Sequence, residues 1–259
     1  MTARVYAHRG ASAHLPEHTR AAYLQAIADG ADGVECDVHL TRDGQVVLLH
    51  DATLDRTSDG TGPVAQRSLA ELRELDFWSW KWAGRGGVRP ADLAQQLLTL
   101  DELLDLLGAA GRPIGVAVEF KHERPGEGYE LEDTTLALLE RRGWDAGSGA
   151  LGPVGVSFMS FAEGAVGHLL ARVPGEHVCQ LVAPGYEEGV ERIDDGGVGI
   201  AGPGVDYLAA HPDRVQRWVA AGRTIRAWTV NDAPDLRRCV ELGVQEVTTD
   251  DPAAIRALL

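Results

Sequence analysis

A closed (β/α)8 barrel is the fold class this sequence predicts, and three observations predict it. Short β-branched or apolar runs alternate with amphipathic stretches along nearly the whole chain, the pattern of parallel strands joined by helical crossovers. The runs are numerous enough to suit a closed barrel better than a small open sheet. The length, 259 residues, matches the ~250 that such a barrel takes, and gives one main domain over 1–259.

Strands are expected at residues 5–7, 33–40, 116–120, 154–158, 178–182, 199–201, 224–229 and 246–249. Helices are expected at 19–29, 100–107, 161–171, 205–210, 212–221, 233–242 and 253–259. Pro212, Pro234 and Pro252 stand near helix starts, where their fixed φ suits the first turn. Gly30, Gly222 and Gly243 follow helix ends. The stretch from 51 to about 90 breaks the alternation. It holds Gly60, Gly62, Gly84, Gly86 and Gly87 with three clustered tryptophans, Trp78, Trp80 and Trp82, and reads as an excursion over the barrel mouth. Around the strand expected at 199–201, residues 194–204 are rich in Gly and Asp and match no motif, and no repeat of fixed period is present.

Candidate chemistry concentrates on the second strand. Val34-Glu35-Cys36-Asp37-Val38-His39-Leu40 alternates apolar and polar, so Glu35, Asp37 and His39 share one face. Asp43-Gly44 then signals a two-residue hairpin, because such a turn needs positive φ. With those two residues as the loop, Leu40 faces Val47, Val38 faces Leu49, and His50 comes opposite Asp37. Two carboxylates side by side repel unless one is protonated or a cation sits between them, and oxygen ligands select hard ions such as Mg2+ or Ca2+. On spacing alone the pair reads equally as the solvated face of an edge strand. His8-Arg9-Gly10 and Glu119-Phe120-Lys121 end two other strands, at the barrel end where active sites lie. Arg9 and Lys121 converging there would bind a phosphate. Taken singly, His8 reads as a structural histidine and Lys121 as a surface charge.

The formal charge of −15 argues against nucleic acid, since a phosphate backbone attracts basic surfaces. Any anionic substrate must meet a local basic site. Cys36, Cys179 and Cys239 are odd in number and far apart, with no disulfide or zinc spacing, which favours a reducing compartment. Nothing at the start of the chain reads as a signal peptide, and no apolar run approaches the ~20 residues of a membrane helix. The expectation is a cytoplasmic protein without stable membrane insertion.

Taken together, His8-Arg9-Gly10, Pro16-Glu17-His18-Thr19, residues 30–38, residues 41–44, His50-Asp51 and Leu54-Asp55-Arg56-Thr57 resemble the glycerophosphodiester phosphodiesterase family. Leu98-Thr99-Leu100-Asp101-Glu102, Glu119-Phe120-Lys121, Trp228-Thr229-Val230-Asn231 and Thr249-Asp250 fit its later landmarks, so the likeness covers nearly the whole chain. The resemblance implies a (β/α)8 barrel with a small subdomain inserted after the second histidine, where the irregular 51–90 segment falls. It implies Glu35, Asp37 and Glu119 as ligands of one divalent cation, Mg2+ or Ca2+ with Mn2+ also open. It implies His8 and His50 as the acid/base pair, Arg9 and Lys121 on the phosphate, and Trp228 near the glycerol. His18 departs from the family, which more often has Asn there.

The implied reaction is attack by the glycerol 2-hydroxyl to give a cyclic phosphate, then hydrolysis to glycerol 3-phosphate and free alcohol, with the histidines exchanging roles. A lysophospholipase D or sphingomyelinase D of related fold is the alternative enzyme, and it needs apolar access for an acyl chain. The Phe77 to Trp82 segment would supply that access, or would pack the excursion on the barrel, the reading favoured because clustered aromatics usually serve burial. A catalytically silent phosphodiester binder is the alternative outside enzymes; it is expected to have lost some of the seven acid/base, metal and phosphate positions, and all are present. Head-group preference and oligomeric state are not legible.

Overall fold

The computed structural model describes residues 3–82, 90–122 and 128–259; Gly84, Gly86 and Gly87 lie outside them. Strand β1 (Arg4–His8) leads through α1 (Arg20–Ala28) to β2 (Gly33–Leu40) and the short β3 (Val46–Leu48). After α2 (Leu69–Leu72) come α3 (Leu100–Gly108), β4 (Ile114–Phe120), α4 (Glu130–Arg141), β5 (Ala150–Leu151), β6 (Val154–Ser160) and α5 (Glu163–Leu170). The chain continues through β7 (Val178–Val182), α6 (Val190–Asp194), β8 (Ile200–Pro203), α7 (Val205–Ala210) and α8 (Pro212–Ala220). It ends with β9 (Thr224–Ala227), α9 (Ala233–Leu242), β10 (Glu246–Thr249) and α10 (Pro252–Arg256). Among the described residues no helix is long and apolar enough to cross a membrane.

Eight strands are parallel and close on themselves in the order β1, β10, β9, β8, β7, β6, β4, β2, with β2 pairing β1 again. Strands β3 and β5 are antiparallel additions on β2 and β6. Closure leaves β2 in the middle of the sheet, so Glu35 and Asp37 face the barrel interior and not the solvent of an edge strand. The outward faces of the strands, with Val34, Cys36, Val38, Val116, Val118 and Phe120, join the helices in the main apolar core. Inside the barrel a smaller cluster of Tyr6, Ala117, Met159, Cys179, Leu181 and Ile200 fills the axis. Tyr6 fits there because two facing positions are glycine: a Cβ at Gly33 would come within 2.3 Å of its ring and one at Gly115 within 2.5 Å of its hydroxyl. Below the active end, buried Arg226 donates to Glu246 (2.6 Å) and Ser157 (3.0 Å) and lies 4.5 Å from the Tyr6 ring centroid. That pairing offsets the cost of a charge inside the barrel.

Between β3 and α3 the chain makes short helical turns around a core of its own. Leu54, Val64, Leu72 and Phe77 pack with Val47, Leu49 and Leu97, seating the inserted subdomain on the barrel. Trp78 is buried, its ring 6.4 Å from that of Trp82. Trp80 lies beneath Arg56 and Lys81 at 6.0 and 5.8 Å.

The turn after β2 corrects the expected two-residue hairpin. The Thr41 amide donates to Gln45 O (2.9 Å) and the Gly44 amide to Thr41 O (3.0 Å), so the loop holds Arg42, Asp43 and Gly44, the last at φ 73°. Thr41 sets this length: its hydroxyl donates to Asp43 (2.6 Å) and accepts from the Gln45 amide (2.9 Å). A three-residue loop with its third residue left-handed is a standard hairpin closure. Leu40 therefore faces Val46 and Val38 faces Leu48, one residue off the expected register. Helix α4 and the short α6 are additions to the elements read from sequence, and residues 194–204 contain the end of α6 and the whole of β8.

Candidate active site

The C-terminal ends of β1, β2 and β4 lie side by side, with His8 opposite Glu35 and Asp37 opposite Glu119. Inward-pointing side chains at neighbouring strand ends must meet. Carboxylate oxygens of Glu35, Asp37 and Glu119 lie within 4.8 Å of one another, and all three residues are buried. Lys121, one residue past β4, places its ammonium 2.5 Å from Glu119 and 3.0 Å from Asp37. Arg9 approaches from β1: its amide donates to Glu35 (3.0 Å) and its guanidinium reaches Asp37 (3.1 Å) and Glu17 (3.0 Å). To make that approach the backbone turns left-handed at Arg9 (φ 57°) and Gly10 (φ 84°). A Cβ at Gly10 would stand 2.7 Å from the Ala22 backbone, so the turn sits directly on α1.

Burial and mutual repulsion divide the three carboxyls. Burial, then Asp37 and Glu119, holds Glu35 well above the usual carboxylate range. Burial pushes Glu119 up to about 7 against the pull of Lys121. Burial also works to raise Asp37, but Lys121, the His18 hydrogen bond and Arg9 outweigh it and hold that group well below its ordinary value.

Each of the two candidate histidines has its own carboxylate. His8 Nδ1 is 2.6 Å from Asp250, which in turn accepts from Ser12 (3.1 Å) and Asn231 (2.7 Å). His50 Nδ1 is 2.6 Å from Asp51. Burial lowers the His50 pKa, favouring its neutral form. Because hairpin β2–β3 is one residue out of the expected register, the Asp37 carbonyl accepts from the Leu49 amide (3.2 Å), not from His50. His50 reaches the site by another route: β3 has ended at Leu48, and the chain is leaving the sheet. Arg56 braces both sides of the mouth, giving hydrogen bonds to Glu17 (2.8 and 2.9 Å) and to Asp51 (2.6 and 3.0 Å).

A pocket of about 440 Å3 opens over these groups, polar along His8, Arg9, Glu35, His50, Glu119 and Lys121, and apolar along Met159, Phe161, Leu181 and Trp228. Seven of the eight residues singled out in the sequence line it. The eighth, Asp37, is fully buried behind Glu119 and Lys121. Trp228 is fixed by its indole N–H to Gly202 O (2.8 Å) and meets Phe161 edge to face at 5.4 Å. Sequence reasoning assigned no role to Phe161, Asp51, Arg56, Asp250 or His18. Phe161 was read as the start of a helix, and what puts it at the mouth is that β6 runs on to Ser160, past the expected end at Phe158; for the others, the available signal was their places in the motifs.

Histidines with a free ring nitrogen, cations for an oxyanion and clustered carboxylates all have uses in cleaving a phosphate ester, and their position at the active end of a parallel barrel places the chain among the barrel hydrolases. Residues 8–254 match the Glycerophosphoryl diester phosphodiesterase family. The chain belongs to that family and is a phosphoric diester hydrolase. It is 41% identical over 256 residues to a probable glycerophosphodiester phosphodiesterase 1 of Mycobacterium tuberculosis, covering 98% of this chain and 92% of that protein. A glycerophosphodiester phosphodiesterase of Bacillus subtilis is 31% identical, with 95% and 83% covered. Among solved structures, a phosphodiesterase of Oleispira antarctica in complex with the product sn-glycerol-3-phosphate superposes with a TM-score of 0.81 at 28% identity, over 98% of this chain and 96% of that one. A Thermotoga maritima glycerophosphodiester phosphodiesterase, at 22% identity and TM-score 0.77 over 100% and 99%, shares the fold.

Proposed function

We propose that the enzyme cleaves glycerophosphodiesters to glycerol 3-phosphate and an alcohol, by histidine acid–base catalysis with one divalent cation, Mg2+, Ca2+ or Mn2+. The observation that carries this reading is the convergence of His8, His50, Arg9, Lys121 and three buried carboxylates on one pocket. The product held by the Oleispira antarctica relative supports the same product here. Residues 1–259 are read as one catalytic unit, with 51–90 as an excursion within it.

The carboxylates fit a hard cation. Glu35 Oε1 and Asp37 Oδ1 are buried without a hydrogen-bond partner, although Lys121 stands 3.0 Å from the latter. With Lys121 and Arg9 as the cations beside them, three buried carboxylates this close are one positive charge short when all are ionised. Glu35, Asp37 and Glu119 would hold the ion, which when bound supplies charge neutralisation at the phosphoryl oxygens and activation of the attacking hydroxyl. Arg9 and Lys121 then bind the phosphate from the same wall. Asp250 and Asp51 each take the Nδ1 side of a histidine, which fixes the tautomer and turns Nε2 toward the pocket. One Nε2 accepts the proton of the glycerol 2-hydroxyl and the other protonates the departing alcohol. In the second step, opening of the cyclic phosphate by water, the two exchange roles.

The test is release of glycerol 3-phosphate from glycerophosphocholine and glycerophosphoethanolamine, in chelator and then with each cation restored. Release that stops in chelator and returns with a cation is expected. Release unaffected by chelator would remove the metal from the proposal, and silence on both substrates under all conditions would overturn it.

A further inference from the structure

The basic groups of the described barrel mouth stand on one side of it, among the carboxylates they pair with. Arg9, Lys121 and, further out, Arg56 and Lys81 stand on the side built by β1, β3 and β4. On the opposite side, residues 183–189, following β7, carry Tyr186, Glu187 and Glu188 and no Lys or Arg. There an aromatic path leads out of the pocket. Trp228 and Phe161 line it, and Phe161 lies 5.5 Å from Tyr186 at an interplanar angle of 59°.

Tyr186 is 66% exposed. It is held outward by a tight turn, with Ala183 and Tyr186 exchanging backbone hydrogen bonds (3.2 and 2.8 Å) and Gly185 at φ 82°. Glu187 and Glu188 beside it are exposed, Glu187 lying 4.0 Å from His211. A fixed exposed ring continuous with the catalytic pocket, with two carboxylates next to it, attracts a cation: the ring face is the negative end of its quadrupole.

We infer that Tyr186, with Phe161 behind it and Glu187 and Glu188 beside it, forms the subsite for the leaving alcohol and selects alcohols bearing an ammonium group. This rests on the hydrolytic reading above. A diester with such an alcohol is a dipole that matches this arrangement, its phosphate toward Arg9 and Lys121 and its ammonium over Tyr186. A neutral alcohol gains nothing from the ring quadrupole, and an anionic one meets Glu187 and Glu188.

The experiment compares glycerophosphocholine with glycerophosphoglycerol on the wild type, Tyr186→Phe, Tyr186→Ala and Tyr186→Lys. Binding is read by calorimetry in chelator, and kcat and KM separately with cation. The wild type is expected to favour the choline ester by about 5-fold in Kd and in KM, the scale of one cation–π contact near solvent. Tyr186→Phe keeps that ratio, Tyr186→Ala brings it to near one, and Tyr186→Lys inverts it. A ratio near one in the wild type, or one that Tyr186→Ala leaves alone, overturns the inference, with hydrolysis intact. Selective binding without turnover of either ester would instead overturn the hydrolytic reading and leave the subsite standing. Stronger binding of a lysophosphatidylcholine monomer that weakens in Tyr186→Ala but not with loss of its ammonium would reassign the ledge to an acyl chain.

Discussion

His18 holds Asp37, one of the proposed cation ligands, in place without touching the pocket. It is 3% exposed, left-handed at φ 60°, and its Nε2 lies 2.9 Å from Asp37 while Nδ1 lies 2.8 Å from the Tyr23 hydroxyl. Burial draws its pKa down in spite of Asp37. A neutral ring can give Asp37 its Nε2–H only if Nδ1 accepts from Tyr23. His18→Ala should therefore remove one of the three groups that orient Asp37, leaving Arg9 and Lys121, and weaken cation binding by about 10- to 100-fold, the usual cost of losing an outer partner of a metal ligand. His18→Asn, which keeps an N–H donor, should recover most of it. Calorimetric titration with Mn2+ checks this, and an alanine variant within twofold of wild type would remove His18 from the positioning role. The two histidines proposed as acid and base answer to a different measurement. His8→Ala and His50→Ala should each lower kcat by about 10²–10⁴ with little change in thermal midpoint, and near-normal rates in either would end its assignment as acid or base.

Arg56 ties Glu17, in the loop after β1, to Asp51, after β3. Glu17 supports Arg9, and Asp51 supports His50. Arg56→Ala should thus cost activity through both props, lowering kcat/KM by about 10-fold. Steady-state kinetics together with a thermal melt test this; a lower midpoint with unchanged kcat/KM would make Arg56 a stabiliser of the excursion only. The elements were legible to different degrees. Barrel strands read well, because a strand covered on both faces is a short apolar run, and β2, β7 and β10 begin and end where the sequence places them. Helix α4 went unread: Tyr129 at its start makes no side-chain cap, whereas Thr99 and Asp232 announce α3 and α9 with caps. The β2–β3 turn was misjudged because Asp43-Gly44 promises a two-residue loop, and the competing Thr41 hydroxyl bonds show only in three dimensions. The site residues were visible as motif positions, but the pairing of His8 with Asp250, 242 residues away, depends on barrel closure, which no local pattern carries.

Closing the barrel concentrates negative charge on its axis in a chain already at −15, and this gives the whole molecule an unusual dependence on pH. In the metal-free protein Glu119 takes up a proton near pH 7, and Glu35 is held even more firmly toward its protonated form. Unfolded, both protonate only near ~4.3. Between about pH 7 and 4.5 these two carboxyls therefore favour the folded state more strongly as pH falls, while His18 and His50, whose pKa values burial lowers, work against them over the same range. Glu17 and Asp250 have the opposite sign, because each is depressed to about 2 in the fold. Burial opposes that shift in both; Arg56 and Arg9 overcome it for Glu17, and His8, Asn231 and Ser12 overcome it for Asp250. Their stabilisation is complete above the unfolded carboxylate range and lost as pH falls toward 2. Without metal, the opposed carboxyl and histidine shifts partly cancel between about pH 7 and 5. A bound cation keeps the triad ionised and competes with protons, so the loaded protein loses the two carboxyls' contribution and should lose stability as pH falls from 8 to 5. Thermal midpoints over that range should fall more steeply with falling pH in saturating Mn2+ than in chelator. Parallel slopes would mean that Glu35 and Glu119 are not the groups that the cation displaces protons from, and the ligand set would have to be sought elsewhere in the pocket.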